Sequence, residues 1–407
     1  MVRKLSTLCA MTIAILAGSD VTWAIQFREQ FASAVVNKIL YVHGGTLVDL
    51  GLQTPLNELY ALNLSTPFTV STAPWFSLNS STGPVHIPAL LSHVAGAGGP
   101  TNSLFFVYGG LNTTNSSSSA VYYFDPVANE WSQPTVEGAP TTGPVGGVAV
   151  SDLQTHALYV WGGQNVTQSP VLVLDTRDPT KLAFSTVAAQ ADGPPGPRSY
   201  ATWSMLSTGV AVLIGGAGPN ATWLSLITVW AFDTASLKWS MHPFLLTRQY
   251  PLPHPQNTTG AIPSPRIRHS AAVTAADEIV VYGSTFQSVS PPDPLIVLST
   301  TNGSYSWRVV NATNSPFSKY EFLLAGAYYA GNVLVFFDDP QGTIHDLDTT
   351  TWQWTDSYVP RADATVNGTY SSTSSGSGQP SVAGRVEVVT WAGAIVAGVA
   401  AMMAMGL

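Results

Sequence analysis

The stretch LFFVYGG (104–110) decides the fold, because a short apolar run that ends in a glycine pair recurs along the chain. The other copies are ILYVHGG (39–45), ALYVWGG (157–163), AVLIGG (211–216), IVVYGS (279–284) and LVFFDD (334–339). Such runs are typical of β-strands, and the glycines allow a positive φ or a close approach of two backbones. Self-similarity at a period near 50 residues indicates an array of like units that stack on one another.

Each unit contains further strands in a fixed order. A second apolar run closes with a turn-forming residue in LYALNL (59–64), VYYFDP (121–126), VLVLDT (171–176), VWAFDT (229–234), LIVLST (295–300) and IHDLDT (344–349). The aromatic residues that follow these runs are Trp75, Trp131, Phe184, Trp239, Trp307 and Trp354. Small-residue runs precede the glycine pairs in FASAVV (31–36), VGGVAV (145–150), SYATWSML (199–206) and HSAAVTA (269–275). We therefore predict four strands per unit, with small residues at a crowded axis and an aromatic ring covering a neighbouring sheet.

The glycine pair, the turn and the Trp together resemble the kelch family of β-propellers, over about residues 31–356. Asp338 and Asp339 replace the glycines of the sixth copy, and Asp tolerates left-handed backbone better than most residues. The resemblance implies an all-β, six-bladed kelch-type β-propeller with four antiparallel strands per blade, and a seven-bladed ring is the alternative. Propellers host many unrelated activities, so the fold alone leaves the function open.

The composition suggests a glycosylated surface. Charged residues make up 9% of the chain and the net charge is −8, so solubility needs another source. Asn-x-Ser/Thr sequons, which are glycan acceptors in secreted proteins, offer one. The sequons are at Asn63, Asn79, Asn112, Asn115, Asn165, Asn220, Asn257, Asn302, Asn311 and Asn367. The acidic balance and the lack of a Lys/Arg cluster argue against nucleic acid as a partner.

The N-terminus predicts entry into the secretory pathway. Arg3 and Lys4 precede an apolar run, and the small residue Ala24 offers a cleavage site, so residues 1–24 are predicted to be a signal peptide. We expect the kelch-like propeller over residues 25–359 and a Ser/Thr-rich stalk over residues 360–376.

The C-terminus predicts attachment to a membrane. Small residues, a polar spacer and a terminal apolar run over residues 377–407 form the pattern of a glycosylphosphatidylinositol (GPI) anchor signal. The candidate attachment residues are Ser374, Ser375 and Gly376. A single C-terminal transmembrane helix is the alternative, since the apolar run is long enough to span a bilayer. Both readings place the protein at the cell membrane, on its extracellular face.

The sequence offers little for catalysis. The kelch-like propellers include copper-radical oxidases of the galactose oxidase type. The resemblance implies that such a site would need a Cys cross-linked to a Tyr. The single cysteine, Cys9, lies in the predicted leader, so this site is excluded and we expect neither metal nor cofactor. The His residues are scattered, and the acidic residues Asp338, Asp339, Asp346 and Asp348 match no Ca²⁺ loop and fit turn chemistry better.

Four residues are candidates for ligand binding: Arg198, Arg266, Arg268 and His269. They precede small-residue strands in GPRSY and PRIRHS, which places them at the mouth of a central channel, where polar groups converge on ligands in many propellers. The alternative is that they pair with turn carboxylates or carbonyls between blades.

We expect a non-catalytic cell-surface glycoprotein that binds an extracellular protein or glycan ligand, as in adhesion. One alternative is a secreted carbohydrate-active enzyme with a site at the channel mouth. The other is an intracellular adaptor, which the leader and the sequons oppose. The sequence leaves the oligomeric state open.

Overall fold

The computed structural model of the chain describes residues 21–22, 25, 28–47, 54–79, 83–164, 170–188, 190, 194–219, 222–243, 258–283, 293–312, 325–336 and 343–361. These residues form an all-β structure with six sheets of the predicted kind, which we number as blades in chain order. Blade 1 contains Ala32–Val36, Ile39–His43, Leu59–Asn63 and Trp75–Ser77. Blade 2 contains Val94–Gly98, Leu104–Tyr108, Val121–Asp125 and Glu130–Ser132. Blade 3 contains Val148–Asp152, Ala157–Trp161, Leu172–Asp175 and Ala183–Thr186.

The second half of the chain continues the same pattern. Blade 4 contains Thr202–Met205, Val210–Ile214, Thr228–Asp233 and Lys238–Pro243. Blade 5 contains Ser270–Val273, Glu278–Tyr282, Leu295–Ser299 and Tyr305–Val309, with Thr258–Gly260 added in parallel at its outer edge. Blade 6 contains Ala325–Tyr329, Asn332–Phe336, Ile344–Asp348 and Gln353–Thr355. Short 3-10 turns lie at Val70–Thr72 and Thr301–Gly303.

The six blades form a closed ring. The first strand of each blade contacts the first strand of the next, and Ala325–Tyr329 of blade 6 returns to Ala32–Val36 of blade 1. Within each blade, consecutive strands pair antiparallel in chain order. The prediction of a six-bladed propeller with four antiparallel strands per blade is confirmed.

The strand composition explains this packing. Small residues line the axis as predicted: a Cβ at Gly96 of blade 2 would overlap the side chain of Leu158 in blade 3. The outer-strand aromatic ring packs on the preceding blade, since Trp131 of blade 2 lies in one apolar cluster with Tyr41 and Ala61 of blade 1. Such a ring removes a large apolar area from water at each junction.

The recurring Asp-Thr pair closes the third strand. In blade 4, Asp233 Oδ1 accepts a hydrogen bond from the amide of Ala235 at 2.8 Å, which forms the turn into the fourth strand. The hydroxyl of Thr234 donates to the carbonyl of Gly209 at 2.8 Å and so joins this turn to the first hairpin of the same blade. Asp348 accepts from the amide of Thr350 in the same way, as turn chemistry predicted.

The ring is closed by residues 356–361, which we call the closing segment. Ser357–Tyr358 pairs antiparallel with Phe68–Thr69 of blade 1. Tyr358 is fully buried, its hydroxyl donates to the carbonyl of Leu64 at 2.8 Å, and its ring stacks on Phe68 at 4.6 Å. Arg361 turns back to blade 6, where its amide donates to Ala330 and its guanidinium pairs with Asp348.

The predicted terminal segments lie almost wholly outside the described residues. Val21–Thr22, which fall within the predicted leader, pair antiparallel with Trp75 and Phe76 at the outer edge of blade 1. Residue 24 as the leader boundary stays a prediction, as do the stalk and the C-terminal anchor signal. Within the described part of the chain, no helix is long and apolar enough to cross a bilayer.

Candidate ligand-binding face

A four-residue segment leads into the first strand of each of blades 1 to 5. These lead-in segments are residues 28–31, 90–93, 144–147, 198–201 and 266–269. The third residue of each has a positive φ: Gln30, Ser92, Gly146, Tyr200 and Arg268, at 61°, 59°, 70°, 58° and 56°. We call the side of the ring on which they lie the lead-in face. The opposite side, which carries the turns between first and second and between third and fourth strands, is the hairpin face.

The third residues join the blades through a chain of backbone hydrogen bonds. The amide of Ser92 donates to the carbonyl of Gln30 at 2.8 Å, and Gly146 donates to Ser92 at 3.0 Å. Tyr200 then donates to Gly146 at 3.3 Å, and Arg268 to Tyr200 at 3.1 Å. The left-handed conformation therefore serves one chain of hydrogen bonds that connects blades 1 to 5.

The glycine pairs connect the same blades at a second level. The amide of Gly110 donates to the carbonyl of Pro144, the first lead-in residue of blade 3, at 2.7 Å. A Cβ on Gly109 would lie 2.6 Å from that oxygen, and the φ of Gly109 is +77°. Equivalent bonds run from Gly45, Gly163 and Gly216 to Leu90, Arg198 and Arg266. The glycines therefore supply both the positive φ and the close backbone approach that the sequence predicted.

Two of the predicted binding residues engage backbone carbonyls. Arg198 Nη1 donates to the carbonyl of Gly215 at 3.2 Å. Arg266 Nη1 lies 3.5 Å from the carbonyl oxygen of Gly283. Its Nη2 donates to the carbonyl of Asp293 at 3.1 Å and forms an ion pair with the carboxylate of Asp293 at 3.1 Å. Burial lowers the pKa of both guanidinium groups to about 10. These are the carbonyl and carboxylate contacts of the alternative interpretation, formed within one blade, and a ligand-binding role stays a prediction.

The structure adds Arg28 to this set. Its Nη1 donates to the carbonyl of Gly44 at 3.2 Å, and its Nη2 pairs with Glu58 at 2.7 Å. Sequence reasoning missed it, although a signal was present: Arg28 precedes its glycine by 16 residues, and Arg198 and Arg266 precede theirs by 17.

His269 is buried between blades 4 and 5. One ring nitrogen, Nε2, lies 2.9 Å from the hydroxyl of Thr202, and Cε1 lies 2.8 Å from where a Cβ on Gly215 would be. Burial, and then the charge of Arg266, hold the pKa of His269 well below its usual value. His269 therefore helps to fill the junction behind a glycine pair.

The junction between blades 1 and 2 holds an equivalent histidine. His93 occupies the same lead-in position as His269, and its Nε2 lies 2.9 Å from His43 Nδ1. Burial lowers the pKa of both imidazoles, that of His43 to about 3. The pair is therefore neutral near pH 7, and a shared hydrogen bond occupies the nitrogens that face each other.

Arg268 belongs to a polar cluster on the lead-in face. It is 6% exposed, and its guanidinium carbon lies 4.9 Å from the centre of the Tyr200 ring. Burial raises the pKa of Glu29, while the charge of Arg268 lowers it. These interactions connect the lead-in segments of blades 1, 4 and 5. We call Glu29, Gln30, Tyr200 and Arg268 the mouth cluster.

The rest of the mouth cluster supplies hydrogen-bonding groups. Gln30 Oε1 accepts from the hydroxyl of Ser92 at 2.9 Å, while its Nε2, in a side chain that is 1% exposed, has no hydrogen-bond partner among the described residues. The hydroxyl of Tyr200 accepts from Gln164. Within the described part of the chain, no group of three or more His, Cys, Asp or Glu residues could hold a metal ion. The cluster can therefore orient a ligand through hydrogen bonds and charge.

The described sequons occur on both faces. Asn79, Asn112, Asn115 and Asn311 follow second or fourth strands, so they lie on the side of the lead-in face. Asn63 and Asn302 fall at turns between third and fourth strands, on the hairpin face. The other predicted modification residues lie outside the described part of the chain: Asn165, Asn220, Asn257, Asn367, Ser374, Ser375 and Gly376.

Comparison with known proteins supports the same architecture. Residues 92–254, which span blades 2 to 4, match the family model described as the KLHDC2/KLHL20/DRC7 Kelch-repeats domain. The chain is also similar to acyl-CoA-binding domain-containing protein 5 of Arabidopsis thaliana, with 25% identity over 311 residues. That match covers 76% of this chain and 43% of the relative, so the chain spans less than half of the relative's length.

Proposed function

This chain is a kelch-repeat β-propeller, and from that premise we propose that it is a non-catalytic cell-surface glycoprotein that binds an extracellular protein or glycan ligand at its lead-in face. Kelch propellers are protein-interaction modules and are typically non-catalytic. The cell-surface location, the glycans and the adhesive role rest on the predicted leader, sequons and anchor signal. We assign the ligand to the mouth cluster, whose four residues are at most 9% exposed.

The observation that carries the proposal is the backbone strain in the mouth cluster. Left-handed backbone costs a non-glycine residue about 1–2 kcal/mol, and glycine avoids that cost. Blade 3 places Gly146 at this position, so the hydrogen-bond chain itself needs no side chain. Blades 4 and 5 instead carry Tyr200 and Arg268, two large side chains in a conformation that disfavours them. Strain of this kind is concentrated at functional sites.

The cluster is suited to recognition of polar ligands. Arg268 supplies a cation and Gln30 an amide donor, while Glu29 supplies a carboxyl acceptor and Tyr200 an aromatic ring. A small number of convergent polar groups fixes the orientation of a ligand in many binding sites. We therefore assign Arg268 as the main binding residue among the four candidates. We propose that Arg198, Arg266 and His269 stabilise the conformation of the lead-in segments.

A binding screen with matched variants tests this proposal. The full chain is displayed on cells and probed with arrays of extracellular proteins and glycans, and each hit is repeated with Arg268→Ala and Arg177→Ala. Arg177 is the control because it is an exposed arginine at a turn on the hairpin face. We expect Arg268→Ala to weaken binding at least tenfold and Arg177→Ala to leave it unchanged. Equal loss in both variants, or loss in Arg177→Ala alone, would contradict the assignment.

A carbohydrate-active enzyme is the second candidate, and the convergence of Glu29, Tyr200 and Arg268 is the observation that favours it. Glycoside hydrolysis usually needs two carboxyl groups that flank the scissile bond. Among the described lead-in segments, Glu29 is the one acidic residue. We therefore favour binding over hydrolysis. Turnover of a glycan hit that disappears in Glu29→Gln would reverse this preference.

The membrane attachment has its own test. Treatment of intact cells with a phosphatidylinositol-specific phospholipase C should release the protein if the tail directs a GPI anchor. Substitution of Ser374, Ser375 and Gly376 together by bulky residues should prevent that release. Retention after treatment, combined with a cytosolic epitope at Leu407, would establish a transmembrane span instead.

A further inference from the structure

The junction that closes the ring contains a buried acidic residue that the proposed function does not use. Asp346 lies in the third strand of blade 6 and is 1% exposed. Alternate residues of a strand point to the same side, so Asp346 shares a side with Ile344. Ile344 belongs to the apolar cluster that joins blade 6 to blade 1 and contains Tyr358 and Tyr329. Asp346 therefore points into the closing junction.

The surroundings of Asp346 provide little to stabilise a negative charge. Its Oδ2 accepts one hydrogen bond, from the hydroxyl of Thr355 at 3.0 Å. Its Oδ1 is buried and has no hydrogen-bond partner among the described residues. The hydroxyl of Tyr358 donates to Leu64 instead. A buried carboxylate with one accepted hydrogen bond is much less stable than the neutral acid.

The charged and titratable groups around Asp346 do not offset this cost. Arg361 is the nearby cation, and it is paired with Asp348 at 2.5 Å. Tyr329 on the first strand of blade 6 and Tyr358 on the closing segment belong to the apolar cluster of Ile344. The other titratable groups on these two elements are Tyr328, which packs in a different apolar cluster, and Asp356, which is exposed. The turn Val70–Thr72 of blade 1, which contacts the same strand, contains no titratable side chain. Burial, and to a smaller extent the charge of Asp348, raise the pKa of Asp346 to about 7.

We propose that the carboxyl group of Asp346 makes the ring closure sensitive to pH: the closing segment stays in place while Asp346 holds its proton, and it loosens when the carboxylate forms. The apolar cluster and Tyr358 form a well-packed junction around the neutral acid. Ionisation in place leaves a charge beside the buried Tyr358. Detachment of the closing segment gives that charge access to water, so the open form gains population as the proton leaves.

The sign follows from the two protonation states. Asp346 has a raised pKa in the closed form and an ordinary value near 4 once it is exposed. The stability of the closed form is therefore complete below about pH 4 and is lost as the pH rises toward 7. Across that range, the equilibrium constant for opening increases about tenfold per pH unit and then levels off.

Hydrogen exchange on the full chain tests the proposal. The amide of Val70 donates to Asp356 and the amide of Arg361 donates to Ala330, so both report on the closing segment. Exchange rates are measured from pH 4.5 to 8 in the parent protein and in Asp346→Asn. The ratio of the two at equal pH cancels the intrinsic pH dependence of exchange. We expect this ratio to rise about tenfold per pH unit below pH 7 for Val70 and Arg361.

The controls separate opening of the closing segment from global unfolding. The amide of Gly45, which donates to Leu90 between blades 1 and 2, should show a constant ratio. The variant Asp233→Asn, at a turn of blade 4, should leave all three amides unchanged. A flat ratio at Val70 and Arg361 would overturn the proposal, as would an equal rise at Gly45. If Asp346→Asn does not fold, the ratio of Val70 to Gly45 exchange in the parent must rise over the same range, and a flat ratio there also overturns it.

Discussion

The junctions between blades 1 to 5 and the junction that closes the ring do the same task with different chemistry. The first group uses backbone hydrogen bonds between lead-in residues such as Ser92 and Gln30, and between a second glycine and the next blade. The closing junction relies on side chains outside the repeat, with Tyr358 stacked on Phe68 and bonded to Leu64. Repetition therefore encodes the internal junctions, whereas one short segment of unique sequence encodes the closure.

The two kinds of junction also respond to pH in opposite directions. His43, His93 and His269 are buried between blades as neutral rings, so protonation at low pH opposes folding there. Asp346 is a buried acid, so deprotonation at higher pH opposes folding at the closure. An intermediate pH is therefore expected to suit the ring as a whole.

The largest expected effect is at the closure. Tyr358→Ala removes a fully buried ring and its hydrogen bond to Leu64, so it should lower the free energy of unfolding by about 4 kcal/mol. Denaturant unfolding followed by Trp fluorescence measures the change. The neighbouring Val359, which is 57% exposed, provides the control, and Val359→Ala should cost under about 0.5 kcal/mol. Similar losses in both variants would show that the closing segment contributes little.

A somewhat smaller effect is expected at an internal junction. Gly109→Ala places a Cβ about 2.6 Å from the carbonyl oxygen of Pro144 and forces alanine into a positive φ. The left-handed backbone and a weakened bond from Gly110 together should cost about 3 kcal/mol. The same unfolding assay applies, with Gly196→Ala as control because no heavy atom lies within 4 Å of the added Cβ. Wild-type stability of Gly109→Ala would contradict the assigned role of the glycine pairs.

The pH comparison can be made at a single histidine. Because burial depresses the pKa of His269, the unfolded chain binds a proton below about pH 6.5 that the folded chain does not. Stability is therefore lost as the pH falls, and His269 should contribute a loss of about 2 kcal/mol between pH 6.5 and 5. His269→Gln should remove that part of the slope in urea unfolding series. His86→Gln, at an exposed residue, should retain the slope of the parent.

The smallest expected change in stability distinguishes backbone from side chain in the lead-in segments. Arg268→Gly keeps the amide that donates to Tyr200 and relieves a positive φ, but it loses the contact with the Tyr200 ring. Relief of the positive φ stabilises the fold and loss of the ring contact destabilises it, so the free energy of unfolding should change by under about 1 kcal/mol. Ligand binding should nevertheless be lost. A large loss of stability would assign Arg268 to the architecture of the ring.

The architecture was predictable because each repeat shows its strands through apolar runs, turn residues and a Trp. The glycine pairs, for example at Gly109, and the outer-strand ring of Trp131 were assigned correctly from spacing alone. The lead-in chain was not predictable, since its third residues are Gln, Ser, Gly, Tyr and Arg, which share a backbone conformation and no side-chain chemistry. The closing segment was missed for a different reason: Tyr358 belongs to no repeat and is 294 residues from Leu64.

The sequence selected Arg268 as one of four candidates for ligand binding, and that role stays a prediction. Sequence position could not distinguish Arg268 from Arg266 two residues earlier. Arg266 points back to Asp293, whereas Arg268 lies over Tyr200. Glu29 and Gln30 precede the first clear repeat motif, so the repeat pattern does not assign them to the cluster. Their place in it follows from the closed ring of blades.

The four repeat strands of each blade come from one continuous stretch of sequence, and this arrangement has an evolutionary consequence. A duplication or loss of about 50 residues would add or remove a whole sheet with its own internal pairing intact. The last few residues after the sixth sheet would then be the ones required to adapt to a circle of different circumference. A change in the number of blades is therefore expected to alter the sequence around Tyr358 first.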